Sequence, residues 1–112
     1  MDCLFCKITA GEIPSRKAYE DDEILAFYDI APVAPTHILL IPKAHIDGAD
    51  EITGENSALT ARIFEIAANL ARELGLGDGY RIVTNIGPHG QQSVRHLHFH
   101  LLGGRQMSWP PG

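Results

Sequence analysis

Positive charge is in short supply. Nine Lys and Arg stand against fourteen Asp and Glu, a formal net charge of −5, and the basic residues are scattered along the chain. A surface that tracks nucleic-acid phosphates needs a basic patch or stripe, so nucleic acid is excluded as a partner. A small phosphorylated ligand held by backbone N–H groups is not. Long apolar runs are missing too. None approaches the roughly 20 residues of a membrane-spanning helix, so no membrane partner is expected. The opening residues, Met1-Asp2-Cys3-Leu4-Phe5-Cys6-Lys7, lack the basic and apolar blocks of a secretory leader. The expected location is therefore cytoplasmic. Cysteine is nearly absent, with two residues in 112, both in one Cys-x-x-Cys pair, Cys3 and Cys6. In a reducing compartment such a pair points to metal or redox chemistry rather than a structural disulfide. The 45% hydrophobic content suffices for one compact core and little more. A single domain over residues 1–112 is expected, one that oligomerisation would help to stabilise.

Histidine, by contrast, is concentrated. Three of the six histidines, His96, His98 and His100, alternate with Leu97, Phe99 and Leu101. Period-2 alternation predicts a half-buried strand over 94–102 with the three imidazoles on one face. A single histidine there reads as a satisfied polar residue. Three in register must satisfy six ring nitrogens, which points to a metal site or to a nucleophile with its helpers. As joint ligands of one zinc the three fit poorly. Strand neighbours two apart stand about 6.5–7 Å from each other, so the rings spread over roughly 13 Å, whereas Zn–N bonds are near 2 Å.

The remaining pattern is that of an α+β protein. A short helical turn is predicted over 7–14, ended by Gly11 and Pro14. Strands are predicted over 15–20 and 24–30, joined by a tight turn at Asp21-Asp22. A third, 36–43, is apolar enough to be buried on both faces, with His37 at its start. Leu59, Ile63, Ile66, Ala67, Leu70 and Leu74 recur at helical spacing and predict one long helix over 55–74, stopped by Gly75 and Gly77. A fourth strand is predicted over 80–86. Between it and the histidine strand, loop 87–93 holds Gly87, Gly90 and Ser93, a composition able to turn backbone N–H groups onto a phosphate. Asp29, before a proline-rich turn, reads as a turn-initiating aspartate or as a carboxylate for ribose hydroxyls.

His96-Leu97-His98-Phe99-His100-Leu101-Leu102 resembles the histidine-triad motif. The residues that follow, Gly103-Gly104-Arg105-Gln106-Met107-Ser108-Trp109-Pro110-Pro111-Gly112, resemble the C-terminus of the Hint branch of that superfamily. The resemblance covers nearly the whole chain. It implies a five-stranded antiparallel sheet with one long and one short helix, two copies of which join into a continuous ten-stranded sheet. It also implies a nucleotide hydrolase that cleaves nucleoside 5'-phosphoramidates, or a related mixed anhydride, through a nucleotidyl-histidine intermediate. His98 would be the nucleophile, with its other ring nitrogen held by the carbonyl of residue 96. His100 would bind phosphate oxygens, His37 stands beside the triad, and Ser93 would pass a proton to the leaving group. Asp29 would take the ribose. Phe5, Ile8, Phe27 and Ile30 would line a purine slot for an AMP- or GMP-like nucleotide. Asn85, Gln91, Gln92 and Ser93 would lie on the phosphate side. Resemblance to the zinc-bearing members makes Cys3, Cys6, His45 and His96 a structural zinc set. Gln91 departs from the family loop, which commonly has glycine there, and a Cβ resists positive φ. Three other readings remain open: a dinucleoside polyphosphate hydrolase of another branch, a three-histidine zinc enzyme, and a nucleotide-binding adaptor with vestigial activity.

Overall fold

The computed structural model describes residues 3–112. Among them, five strands form one antiparallel sheet: β1 (Lys17–Glu20), β2 (Ile24–Tyr28), β3 (Thr36–Pro42), β4 (Tyr80–Val83) and β5 (Phe99–Gly103), in the order β1-β2-β3-β5-β4. Two helices cover it, α1 (Leu4–Thr9) and α2 (Ser57–Glu73). A 3-10 turn lies at Ala49–Glu51. No helix among the described residues is long and apolar enough to cross a membrane.

Each element has a local cause. Asp21 closes the β1–β2 hairpin by accepting the N–H groups of Glu23 and Ile24, both at 2.8 Å. Helix α2 ends at Gly75, which stands at φ 73°. There the Leu76 N–H reaches the Ala71 carbonyl (2.9 Å) and the Gly75 N–H the Arg72 carbonyl (3.3 Å), the paired bonds of a Schellman stop. The expected stripe of α2 is largely the buried one. Ile63, Ile66, Ala67 and Leu70 pack against Ile24, Ala26, Ile38, Leu40, Phe99 and Leu101 of the sheet and Leu97 just ahead of it. The opposite sheet face carries a second cluster, in which Phe5 of α1 meets Leu25, Phe27, Leu39 and Ile41. Strands β2 and β3 are therefore buried on both faces, as their unbroken apolar runs require.

Several elements begin or stop elsewhere than their sequence pattern suggests, β1 and β2 by two residues at one end each. The short helix starts at Leu4, ahead of the turn expected from Lys7, because the Cys3 sulfur caps it by accepting the Cys6 N–H (3.3 Å). The histidine strand is shorter than its alternation. β5 starts at Phe99, opposite Leu40, and leaves His96 and His98 in the segment that approaches it. Pro42 offers no N–H to extend the ladder, and its carbonyl is taken by the His96 ring (2.8 Å). On the other side Thr84 Oγ1 donates to the His98 carbonyl (2.8 Å), so β4 stops at Val83 rather than at residue 86. The alternation of faces survives this. Leu97, Phe99 and Leu101 belong to the α2-side core, and the three imidazoles turn to the α1 side.

Candidate functional site

On the α1 face, two groups of polar side chains flank Phe5. Its ring meets His96 and His98 edge-on, with centroids 5.9 and 5.0 Å away. One group lies on the far side of His96, the other runs from His98 through His100 to His37.

The first group is Cys3, Cys6, His45 and His96, whose sulfurs and ring nitrogens all lie within 4.8 Å of one another. Cys3 Sγ is 3.3 Å from His96 Nδ1, and Cys6 Sγ lies 3.3 Å from His45 Nδ1 and 3.5 Å from His96 Nδ1. Two ligands on one tetrahedral zinc, with Zn–S about 2.3 Å and Zn–N about 2.0 Å, stand roughly 3.5 Å apart. The outer partners also suit a metal. His96 Nε2 donates to the Pro42 carbonyl (2.8 Å) and His45 Nε2 to the Asp47 carboxylate (2.8 Å). Each neutral ring thus carries its proton on the far nitrogen and turns a bare Nδ1 to the sulfurs, the second-layer arrangement usual at metal-bound histidine. The four residues fit a closed Cys2His2 shell.

In the second group the backbone decides the tautomers. Val33 N–H donates to His37 Nδ1 (3.2 Å), so the proton of this buried ring sits on Nε2. That nitrogen lies 2.9 Å from His100 Nδ1 and 3.4 Å from Asp29 Oδ2. His100 Nδ1 then accepts, and its own proton sits on Nε2. His98 is set the opposite way. Its Nδ1 donates to the carbonyl of His96 (2.7 Å), which leaves a neutral ring with a bare Nε2. One histidine offers a lone pair, and its neighbour, 5.2 Å away between centroids, offers an N–H.

Asp29, His37 and His100 also bring their ligand atoms within 4.8 Å. They form a proton chain rather than a metal site. A metal on His37 Nε2 would force the ring proton onto Nδ1, head-on against the Val33 N–H.

Burial, with His98 and then His37 as neighbours, pushes the His100 imidazole down to about 4, and burial lowers His37 as well. Below the ordinary value of 6.5 the unfolded chain binds a proton at this residue that the folded chain refuses until about pH 4. The stability tied to His100 is therefore complete above pH 6.5 and is lost as pH falls toward 4. Melting temperatures measured across this window should fall with pH, and His100→Asn should flatten that slope. An equally steep fall in the variant would contradict the assignment.

A cavity of about 620 Å³ opens beside these rings. Phe5, Ile8, Phe27, Asp29, Ile30, Ser93, His98 and His100 line it, together with residues that the sequence does not single out, among them Leu4, Ile13, Arg16 and Val94. Asp29 Oδ1 accepts the Ala31 N–H (2.8 Å), so the turn-initiating role is real, while Oδ2 remains at the cavity side of His37. Three expected contact residues, Asn85, Gln91 and Gln92, are not in the wall. Gln91 is exposed and adopts φ 62° despite its Cβ. The Gln92 amide is bonded to backbone on both sides.

Residues 10–107 match the HIT domain family. This chain belongs to the HIT family. Relatives of this HIT protein include a 14 kDa zinc-binding protein of Brassica juncea, 50% identical over 99% of this chain and 100% of the relative. Another is adenylylsulfatase HINT1 of Arabidopsis thaliana, 50% identical over 97% of this chain and 76% of that protein. Among solved structures, a HIT family hydrolase from Legionella pneumophila superposes with a TM-score of 0.97 at 54% identity, covering 99% of this chain and 100% of the other. The HIT fold expected from the triad is thus the fold observed, and the sheet order places the triad in it as described above.

The sequence misses Asp47, although a carboxylate two residues after a candidate histidine ligand is a usable signal. The Val33 N–H and the Pro42 carbonyl leave no side-chain signal at all, whereas the His96 carbonyl holds the His98 ring as the resemblance implies.

Proposed function

We propose that this HIT protein is a nucleoside phosphoramidate hydrolase working through His98. The observation that carries the reading is the opposed tautomers of His98 and His100 on the wall of one largely apolar cavity that also holds Asp29. A purine fits between Phe5, Ile8, Phe27 and Ile30, and Asp29 accepts the ribose hydroxyls. The α-phosphorus then faces His98. The Nε2 lone pair forms a bond to phosphorus, the bond to the leaving nitrogen breaks, and Ser93 passes a proton to that nitrogen. His100 Nε2–H and the backbone at Ser93, the residue of loop 87–93 that lines the cavity, hold the phosphate oxygens. Water then attacks phosphorus and returns a proton to Ser93, the P–Nε2 bond breaks, and the nucleoside monophosphate leaves. A sulfate leaving group is served by the same steps, and the name of the Arabidopsis relative favours that second substrate class. Zinc held by Cys3, Cys6, His45 and His96 would supply structure only, since all four positions of its shell are taken.

The test is direct. The purified chain is assayed on adenosine 5'-phosphoramidate, adenylyl sulfate and a dinucleoside polyphosphate. Release of AMP is expected from the first two and far more slowly from the third. AMP binding with turnover of none would make the protein an adaptor.

We also infer a homodimer joined through β4 into a ten-stranded sheet. β4 is an edge strand, and apolar surface is exposed on Tyr80 (39%), Ile86 (44%), Phe64 (45%) and Trp109 (85%). Light scattering at micromolar concentration should return twice the chain mass. A fully active monomer would remove the idea.

A further inference from the structure

The Gln92 side chain makes four hydrogen bonds, and the partners of all four are protein groups. Its amide nitrogen donates to the carbonyls of Asp47 (2.7 Å) and Val94 (3.0 Å). Its amide oxygen accepts from the Gly87 N–H (3.1 Å) and from Arg95 Nη1 (2.7 Å). The first partner lies two residues beyond His45. The segment that carries it, residues 45–48, is itself tied to the triad by the Leu97 N–H, which donates to the Ile46 carbonyl (2.6 Å). Gly48 packs so tightly that a Cβ there would lie 3.2 Å from the Gln92 amide atoms. Arg95 adds a second link, with its guanidinium 3.7 Å from the Asp47 carboxylate that holds the His45 ring. The loop on one side of Gln92 and the metal-binding segment on the other are thus one hydrogen-bonded unit.

The residue beside it is strained. Gln91 stands at φ 62°, in the left-handed region that a side chain with a Cβ rarely adopts. Such a conformation persists only where its surroundings over-determine it. Here the surroundings are the Gln91 N–H donating to the Pro88 carbonyl (3.1 Å), the Gln92 N–H donating to the Gly87 carbonyl (3.0 Å), and the Gln92 side chain with its anchor at Asp47.

We infer that zinc in the Cys3/Cys6/His45/His96 cluster and a nucleotide in the cavity bind with positive coupling, and that Gln92 is the positioning residue that transmits it. The inference rests on the reading of Ser93, at the end of loop 87–93 and in the cavity wall, as a phosphate contact. The ion fixes His45, His45 fixes residues 45–48, and the Asp47 carbonyl fixes Gln92. Gln92 in turn holds Gln91 left-handed and the Ser93 backbone in place at the cavity wall. Without the ion the anchor at Asp47 loosens, Gln91 relaxes to negative φ, and the loop loses its anion-binding shape. The bistable element is the loop itself, and the strain at Gln91 is what makes it bistable. A glycine at position 91 would hold the left-handed turn unaided, so dependence on the metal follows from this chain's own residue. Linkage makes the effect reciprocal, and a nucleotide that binds better with zinc must tighten zinc by the same factor.

The experiment measures both directions on the full chain. AMP binding is titrated calorimetrically on zinc-loaded and chelator-stripped protein, with circular dichroism to follow the fold. On stripping, the AMP Kd of the wild type should rise about tenfold, within the usual range of such couplings, and that of Gln91→Gly less than about threefold. Should the stripped chain unfold, the reciprocal measurement replaces the first. Zinc affinity of the folded protein is read by competition with a chromophoric chelator, with and without saturating AMP. AMP should tighten zinc about tenfold in the wild type, and hardly at all in Gln91→Gly or Gln92→Ala. Equal zinc affinity with and without AMP in the wild type would overturn the inference. So would a tenfold effect retained in Gln91→Gly, since coupling would then run through His96 rather than the loop. Absence of AMP binding to zinc-loaded wild type would instead remove the cavity reading itself, and this inference with it.

Discussion

His98→Ala should be nearly inactive on adenosine 5'-phosphoramidate and still bind AMP. The substitution removes the only bare ring nitrogen on the cavity wall, because the proton of His100 occupies its Nε2 and His96 is buried toward the cysteines. The covalent route disappears with it. A loss of about 10³–10⁴-fold in kcat is expected, about 4–5.5 kcal/mol in activation free energy. Binding of the product should weaken far less, since Asp29, the apolar slot and His100 remain. Rapid acid quenching of the wild type should trap an adduct on the His98 imidazole. Substantial turnover by His98→Ala, or an adduct mapped to His100, would end the mechanism and leave the fold untouched.

The second large effect concerns the metal. Protein purified without added metal should carry one zinc per chain, and Cys3→Ser combined with Cys6→Ser should carry almost none. The cluster joins residues 93 apart in sequence, so it pins the N-terminal helix to the segment leading into β5. Metal that binds only the folded chain stabilises it by mass action. Its loss should cost about 3–5 kcal/mol, a fall in Tm of roughly 12–20 °C. Elemental analysis and thermal melts check this together. Zinc content unchanged in the double variant would show that the ligands lie elsewhere.

Much of the fold is legible in the sequence because two periods dominate it. The spacing of Ile63, Ile66, Ala67 and Leu70 marks α2, and the alternation through Leu97, Phe99 and Leu101 assigns the faces of the last strand. The ends of strands are less legible, since they depend on which partner carbonyl is free. Nothing in the alternation of 94–102 shows that Pro42 and Thr84 have claimed the bonds that would lengthen β5. The candidate site divides in the same way. Side chains of marked chemistry, the triad, the cysteine pair and Asp29, stand out from their types and spacing. Groups that set their protonation, such as the Val33 N–H and the Pro42 carbonyl, are backbone and carry no residue signature. Gln92 illustrates the limit from the other side. Its neighbours suggest a phosphate contact, yet its amide is turned to the Asp47 carbonyl by packing that only the fold creates.

The order of strands in the sheet also governs when this protein can become itself. β3 pairs with β2 soon after both are made, whereas its other neighbour is β5, so Leu40 waits for Phe99. During synthesis the apolar edge of β3 stays open until β5 has emerged, and an open edge of that kind is a template for pairing with a stranger. Closing it requires a contact of long sequence separation, which slows folding toward the milliseconds-to-seconds range of β-rich domains. The segment that completes the sheet also carries all three triad histidines, so the nascent chain has no competent site before its sheet is complete.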